Sequence, residues 1–218
     1  MKGLFIKDFK LMMNQKMFFM VIAILGVFFA FNQTNTFFVI SYATFIATMF
    51  VISSISYDEF NNGNTFLFTL PVSRTGYVKE KYLFGYSLAT GAWVISVGVL
   101  LLVSLVKGIE LDLVQWLLTA VLILMMAFMI VSMTIPVQLK FGQNRGNVAM
   151  LLVMGGLVAI GFVVLMIAKM FGIDLAGLID AMSVVGFSGM VVIIFLIISI
   201  INWISYLISC KIMNNKEF

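Results

Sequence analysis

The sequence predicts an all-α integral membrane protein with six transmembrane helices and an N-terminal interfacial amphipathic helix. Composition is the first reason: 63% of the residues are hydrophobic, 10% are charged and the mean hydropathy is +1.16, whereas about a quarter of the residues in soluble domains are charged. Long uncharged apolar runs are the second reason, and basic residues gathered in alternate loops are the third. Barrel strands would instead alternate in polarity over about ten residues.

Six stretches are long and apolar enough to cross about 30 Å of hydrocarbon, which takes roughly 20 helical residues. They are residues 17–31, 37–56, 83–106, 115–137, 148–168 and 183–209. The first stretch is short, so we expect it to extend into the turn at 32–36 or to lie in locally thinned bilayer. None of the six contains a charged residue, which argues against a proton relay inside the membrane.

The basic residues predict the orientation, because short cytoplasmic loops retain lysine and arginine. Of the 13 Lys and Arg residues, two, Lys107 and Lys169, fall on the side predicted to face outward. We therefore expect a bacterial cytoplasmic (plasma) membrane protein with both termini in the cytoplasm. This topology explains much of the net charge of +4, so nucleic acid is not an expected partner.

Residues 1–16 predict an amphipathic helix in the cytoplasmic interface, ahead of the first span. Its apolar side carries Phe5, Ile6, Phe9, Met12 and Met13, and its polar side carries Lys7, Lys10, Asn14 and Gln15. The alternative is a disordered basic tail that only fixes the topology. A cleaved signal is not expected, since the basic segment contains Asp8 and no small-x-small site follows the apolar run.

Residues 1–218 are predicted to form a single membrane domain. The longest cytoplasmic segment, 57–81, is too short to bury a core of its own. One cysteine and no histidine rule out a site built from several cysteine or histidine ligands. No G-x-x-x-x-G-K-S/T loop occurs. We therefore expect no metal site, no catalytic residue and no nucleotide bound by this chain itself.

The loop between the second and third predicted spans combines charged and apolar side chains. Asp58 and Glu59 leave the second span, and a turn-forming stretch follows at 61–64. The apolar members come next: Phe66, Leu67, Phe68 and Leu70. Ser73 or Thr75 can then cap a helix that leads into the third span. Apolar groups in a cytoplasmic loop need cover from lipid, from the protein's own helices or from a partner.

On these residues the chain resembles the permease subunits of ABC-2 type ATP-binding-cassette exporters. The matching features are Lys-Gly-Leu-Phe-Ile-Lys-Asp-Phe at 2–9, the six spans, the Asp58-Glu59 pair, Leu-Pro-Val-Ser-Arg at 70–74 and Val78-x-x-Lys81-Tyr82. The resemblance implies that 57–81 forms a cytoplasmic coupling helix that docks into a groove on a separate ABC ATPase, where ATP and Mg are bound.

The resemblance also assigns residues to this coupling. They are Asp58, Glu59, Phe66, Leu67, Phe68, Leu70, Arg74 and Lys81. The apolar members would fill the groove, while Glu59 and Arg74 would fix the loop or meet the ATPase. Other roles stay open: the acidic pair is alternatively solvated or paired with Lys79 and Lys81, residues 66–70 alternatively face lipid, and Arg74 alternatively serves orientation alone.

Small residues in the spans are candidates for close helix packing. They are Gly85, Ser87, Gly91, Gly155 and Ala159. An interface between permeases or a pathway lining is the alternative role. Trp93 lies near mid-span and is either a packed core residue or part of an apolar cargo surface. Pro136 is expected to kink or end the fourth span.

The predicted function is that of an exporter permease that works as two copies or as two related chains. Its expected partners are a cytoplasmic ABC ATPase, membrane lipids and apolar or amphipathic cargo. Uncharged spans rich in Phe, Met and Leu favour such cargo, and the chain resembles exporters of phenol-soluble modulins and antimicrobial peptides. Two other classes stay open: a non-transporting membrane protein that recruits a cytoplasmic partner, and an ion-coupled secondary carrier.

Overall fold

The computed structural model describes residues 2–32, 36–60, 63–108, 112–142, 155–156, 162, 166 and 175–216. In order along the chain, the helices of this part are α1 (Lys2–Asn14), α2 (Lys16–Asn32), α3 (Thr36–Glu59), α4 (Gly63–Leu67), α5 (Arg74–Lys107), α6 (Leu113–Phe141) and α7 (Leu175–Asn214). No strand occurs among these residues, so the predicted all-α class is confirmed.

Four of these helices are long and apolar enough to span a membrane: Phe37–Glu59, Arg74–Lys107, Trp116–Phe141 and Val191–Asn214. The pair α1 and α2 is bent by 66° and adds a fifth if the two helices form one span. The described residues therefore support a multi-span membrane protein but not the predicted count of six. Nearly all of the fifth predicted span, 148–168, lies outside the described residues.

Helix α3 packs against α2, α5 and α6, while α7 packs against α5 and α6. Gly85 marks a close approach of α5 to both neighbours. A Cβ atom at this position would lie 2.9 Å from a Val131 methyl on α6 and 3.1 Å from a Val51 methyl on α3. In apolar lipid the hydrophobic effect does not drive helices together. Small residues allow the close contact between backbones that stabilises helix packing instead.

Polar side chains link α5 to α7 along their contact. The Tyr82 hydroxyl shares hydrogen bonds with Ser205 Oγ at 2.6 Å and Ser209 Oγ at 2.9 Å. One turn further on, the Tyr86 hydroxyl donates to Asn202 Oδ1 at 2.6 Å. Bonds of this kind between membrane helices contribute about 0.6 to 2 kcal/mol each. They fix the register of α7 against α5.

The start of α5 agrees with one of the two N-caps predicted for it. Helix α5 begins at Arg74 and runs without a break into the third predicted span, 83–106. Ser73 is its N-cap and accepts a hydrogen bond from the Gly76 amide at 3.1 Å. Helix α6 continues past Pro136 to Phe141, so this proline does not end the helix.

Candidate functional site

A buried ion-pair network joins three helices at one end of the bundle. At its centre is Lys81 of α5, whose exposed fraction is 0%. Its ammonium forms an ion pair with Asp8 of α1, lies 2.7 Å from Asp58 Oδ2 and donates a 2.6 Å hydrogen bond to Ser54 Oγ. Because Ser54 and Asp58 belong to α3, one side chain connects α1, α3 and α5.

Further contacts complete what we call the Lys81 network. Its members are Lys7, Asp8, Ser54, Asp58, Tyr77, Glu80 and Lys81. Ser54 Oγ donates to Asp8 Oδ2 at 2.8 Å, and the Tyr77 hydroxyl donates to Asp58 Oδ2 at 3.1 Å. Lys7 pairs with Asp58 and lies 3.1 Å from Asp8 Oδ1. Buried charges need such partners, since desolvation costs several kcal/mol per ion.

Glu80 is the member with the fewest contacts. Its exposed fraction is 2%, and the nearest cation is Lys81, with Nζ 3.9 Å from Oε2. Within the described part of the chain, neither carboxyl oxygen has a hydrogen-bond partner. A buried charged group without hydrogen-bond partners raises the free energy of the folded state in a medium of low dielectric.

The connection between α3 and α5, residues 60–73, of which 60 and 63–73 are described, packs against this network on one side of its described part and is open on the other. Leu67 is buried, and the Phe68 ring meets the Tyr77 ring edge-on with centroids 5.8 Å apart. Phe66 and Leu70, by contrast, are 71% and 47% exposed. The four apolar residues predicted to act together therefore split into two anchors and two outward-facing side chains.

The C-terminal turn holds the two ends of this connection, Glu59 and Arg74, through contacts we call the tail latch. Arg74 donates to carbonyl oxygens of the last turn of α7, those of Met213 and Asn214. Lys216 Nζ lies 2.6 Å from Glu59 Oε1 and donates to the Leu139 carbonyl oxygen at 3.0 Å. A cation is favourable there because the last carbonyl groups of α6 point at it.

All eight residues predicted for ATPase coupling lie at this end of the molecule. Asp58 and Lys81 belong to the Lys81 network, and Glu59 and Arg74 belong to the tail latch. The acidic Asp58 thus pairs with Lys81, one of the partners considered for it, whereas Lys79 is exposed. The contacts of these four charged residues are made inside the protein.

Helix α1 contacts the rest of the protein through one side. Its buried residues are Leu4 and Asp8, while Ile6, Phe9 and Met13 of the predicted apolar side are exposed. In the sequence, Asp8 follows Leu4 by one helical turn. This spacing of an acidic residue and a leucine on one side of the helix was the available signal for the contact. That the helix lies in the membrane interface stays a prediction.

Sequence reasoning also missed other members of these clusters. They are Lys7, Ser54, Tyr77, Glu80 and Lys216. Tyr77, Glu80, Lys81 and Phe84 recur at helical spacing and are all buried, which identifies one inward face of α5. Both charged members were left outside the third span because charge was used to mark its start.

The residues predicted to pack the spans have different surroundings. Gly85 lies in close contact with two helices, as described above. Ser87 and Gly91 are exposed, and a Cβ atom at Gly91 would lie more than 4 Å from every neighbour that the structure describes. Trp93 donates from its indole nitrogen to the Ala120 carbonyl oxygen at 2.7 Å. A Cβ atom at Gly155 would meet none of the described residues within 4 Å.

Two further predictions concern Ala159 and metal binding. Ala159 lies outside the described residues. Among the residues that the structure describes, no group of three or more acidic, histidine or cysteine side chains is placed to hold a metal ion.

The fold and site define a multi-span helical membrane protein with its buried charges and an apolar loop at one end. The family model for ABC-2 family transporter proteins matches residues 3–214. The chain therefore belongs to the ABC-2 transporter family, and the resemblance to ABC-2 type permeases is confirmed. Among curated proteins and among solved structures, none matches at a significant level. The peptide-exporter subtype stays a prediction.

Proposed function

We propose that this chain is the permease subunit of an ATP-driven ABC-2 exporter and that a separate cytoplasmic ATPase supplies the energy. Membership of the family supports the first part, because its members are normally non-catalytic membrane subunits. The observation that carries the second part is the connection 60–73, where Phe66 and Leu70 face outward from a firmly anchored segment.

An apolar side chain that faces water gains about 1.5 to 3 kcal/mol when a partner buries it. Phe66 and Leu70 lie on a segment that Leu67 and Phe68 anchor against the protein interior. The tail latch holds the ends of this segment. Anchoring of this kind lowers the entropy lost on docking. It also lets a force applied to the loop reach α3 and α5 through the Lys81 network.

Two such permeases, either identical or related, form the transport pathway in this proposal. The exposed Ser87 and Gly91 of α5 offer a side on which a second permease can approach closely. Apolar or amphipathic peptides, with toxins and antimicrobial peptides favoured, are the proposed cargo. The membrane is the bacterial plasma membrane, with both termini and the connection 60–73 in the cytoplasm.

Docking is tested by replacing Phe66 with aspartate and measuring how much ATPase co-purifies with the chain. We expect Phe66→Asp to reduce ATPase binding by at least about tenfold, the equivalent of losing one buried aromatic anchor. Thr65→Asp is the matched control, since it places the same charge one residue away on an exposed position and should retain binding. Equal binding by both variants would exclude this surface as the docking site.

Cargo is tested in inverted membrane vesicles that contain the chain and its ATPase. Amphipathic peptides should accumulate inside only when ATP is supplied, and they should stimulate ATP hydrolysis. Uptake driven by an ion gradient without ATP would identify a secondary carrier instead. ATPase binding without uptake of any cargo would favour the non-transporting alternative.

A further inference from the structure

The Lys81 network contains more buried carboxyl groups than cations. Its acidic members are Asp8, Asp58 and Glu80, and its basic members are Lys7 and Lys81. The neighbouring Glu59 is paired with Lys216 and does not alter this balance. Among the described residues, no further cation forms an ion pair with any of the three carboxyl groups. With all three carboxyl groups and both lysines ionised, the network therefore carries one uncompensated negative charge.

Glu80 is the carboxyl group that lacks a compensating cation. A lysine ammonium has three N–H donors, and the three close partners of Lys81 are Asp8, Asp58 and Ser54. No donor is left for Glu80, whose Oε2 is 3.9 Å from Lys81 Nζ. Lys7 is directed at the two aspartates.

Two physical effects oppose an ionised carboxylate at this position. Desolvation alone costs several kcal/mol when no partner donates hydrogen bonds. Asp8 is in addition a like-charged neighbour of Glu80, and carboxylates that share a buried site do not both ionise readily. A neutral carboxylic acid removes both costs.

We propose that Glu80 binds a proton, so that the folded chain keeps a neutral carboxylic acid between α1 and α5. The charged groups that act on it are Asp8 and Lys7 from α1 and Lys81 from its own helix. Asp58 and Ser54 from α3 and Tyr77 from α5 bind these groups in turn. With this proton the network is electrically neutral. The proposal does not depend on transport, since it concerns the folded chain by itself.

The proton links the attachment of α1 to pH. Leu4 and Asp8 are the buried residues of α1, and one of these two contacts lies inside the network. Loss of the proton places a second negative charge beside Asp8, which weakens the hold of α5 on α1. The N-terminal helix should therefore be bound more loosely as the pH rises.

Infrared spectroscopy of the purified full chain in lipid nanodiscs tests the proposal directly. At about pH 7, ordinary Asp and Glu side chains are ionised, so a carbonyl stretching band from a protonated carboxyl group would mark a buried acid. We expect this band in the wild type and its loss in Glu80→Gln. Glu59→Gln is the matched control and should keep the band, because the Glu59 carboxylate is paired with Lys216. Absence of the band from the wild type would overturn the proposal.

Unfolding at several pH values provides a second measurement. The folded chain holds a proton that the unfolded chain releases, so the stability of the wild type should fall as the pH rises above about 4.3, the ordinary pKa of glutamic acid, and level off once the folded chain has also lost this proton. Glu80→Gln cannot lose this proton and should show a flat profile over the same range. A variant that keeps the wild-type slope would overturn the proposal. Should Glu80→Gln not fold, disappearance of the wild-type infrared band on raising the pH supports the proposal, and its persistence overturns it.

Discussion

Lys81 lies where three helices meet, and its burial is supported by partners from each of the other two helices. Asp8 reaches it from α1, and Asp58 and Ser54 reach it from α3. A buried pair of this kind is weak evidence for stability as such, because apolar residues often replace it at no cost. Removing one partner alone is different, since the remaining charges then lack compensation.

We therefore predict that Lys81→Met destabilises the protein by about 3 to 5 kcal/mol, because Asp8 and Asp58 stay buried without their central cation. Chemical unfolding in detergent micelles would measure this loss. Lys79→Met is the control: Lys79 is exposed two residues away on the same helix, and its replacement should change the stability by less than about 0.5 kcal/mol. Equal effects of the two variants would show that the network does not stabilise the fold.

At the scale of the helix, the apolar runs located α2, α3, α5, α6 and α7 but fell short of the full length of α5 and α7. The third apolar run, 83–106, stops short of Glu80 and Lys81, because their charges were taken to mark solvent, whereas both side chains are buried. Hydropathy treats each charge alone, whereas the cost of burying Lys81 depends on Asp8, more than seventy positions away in the sequence. No local pattern contains that information.

The candidate site shows the same limit. Its apolar residues and its acidic pair were found from their unusual position in a loop, yet which side chains face outward depends on Tyr77 and on the end of α7. Lys216 gave no signal in the sequence, since a basic residue in a C-terminal tail is explained by topology alone. Its contact with Glu59 exists only because four helix ends meet at one place.

The tail latch predicts that two distant charges are coupled. Glu59→Lys places two cations side by side and should loosen the connection 60–73, and Lys216→Glu should do the same with two acids. The double exchange restores opposite charges, so a double-mutant cycle on unfolding should give a coupling energy of about 0.5 to 3 kcal/mol. Part of the loss will persist, since a glutamate at this position cannot donate to the Leu139 carbonyl oxygen.

Lys211→Glu is the control for this exchange, because Lys211 is exposed on the last turn of α7 and changes the tail charge equally. It should not rescue Glu59→Lys. Independent, additive effects of Glu59→Lys and Lys216→Glu would show that the two side chains are not in contact. If the double exchange restored folding but not ATPase stimulation, Glu59 would meet the ATPase directly.

The whole molecule is asymmetric from one end to the other. The Lys81 network, the tail latch and the exposed Phe66 all lie at one end, while Lys107 satisfies the end of α2 at the other by donating to the Phe31 carbonyl oxygen at 2.8 Å. Clustering of basic groups at one end predicts which side faces the cytoplasm. Docking of a cytoplasmic ATPase on the connection 60–73 requires the same orientation.

Cysteine labelling in intact cells tests this orientation in a Cys210→Ser background. Thr65→Cys lies on the exposed side of α4, and Leu113→Cys lies exposed at the first residue of α6, at the opposite end. A membrane-impermeant maleimide should label Leu113→Cys from outside and should reach Thr65→Cys only after the membrane is permeabilised. The reverse pattern would place Phe66 and Leu70 outside the cell, where no ATPase could dock on them, and the proposed coupling would then be wrong.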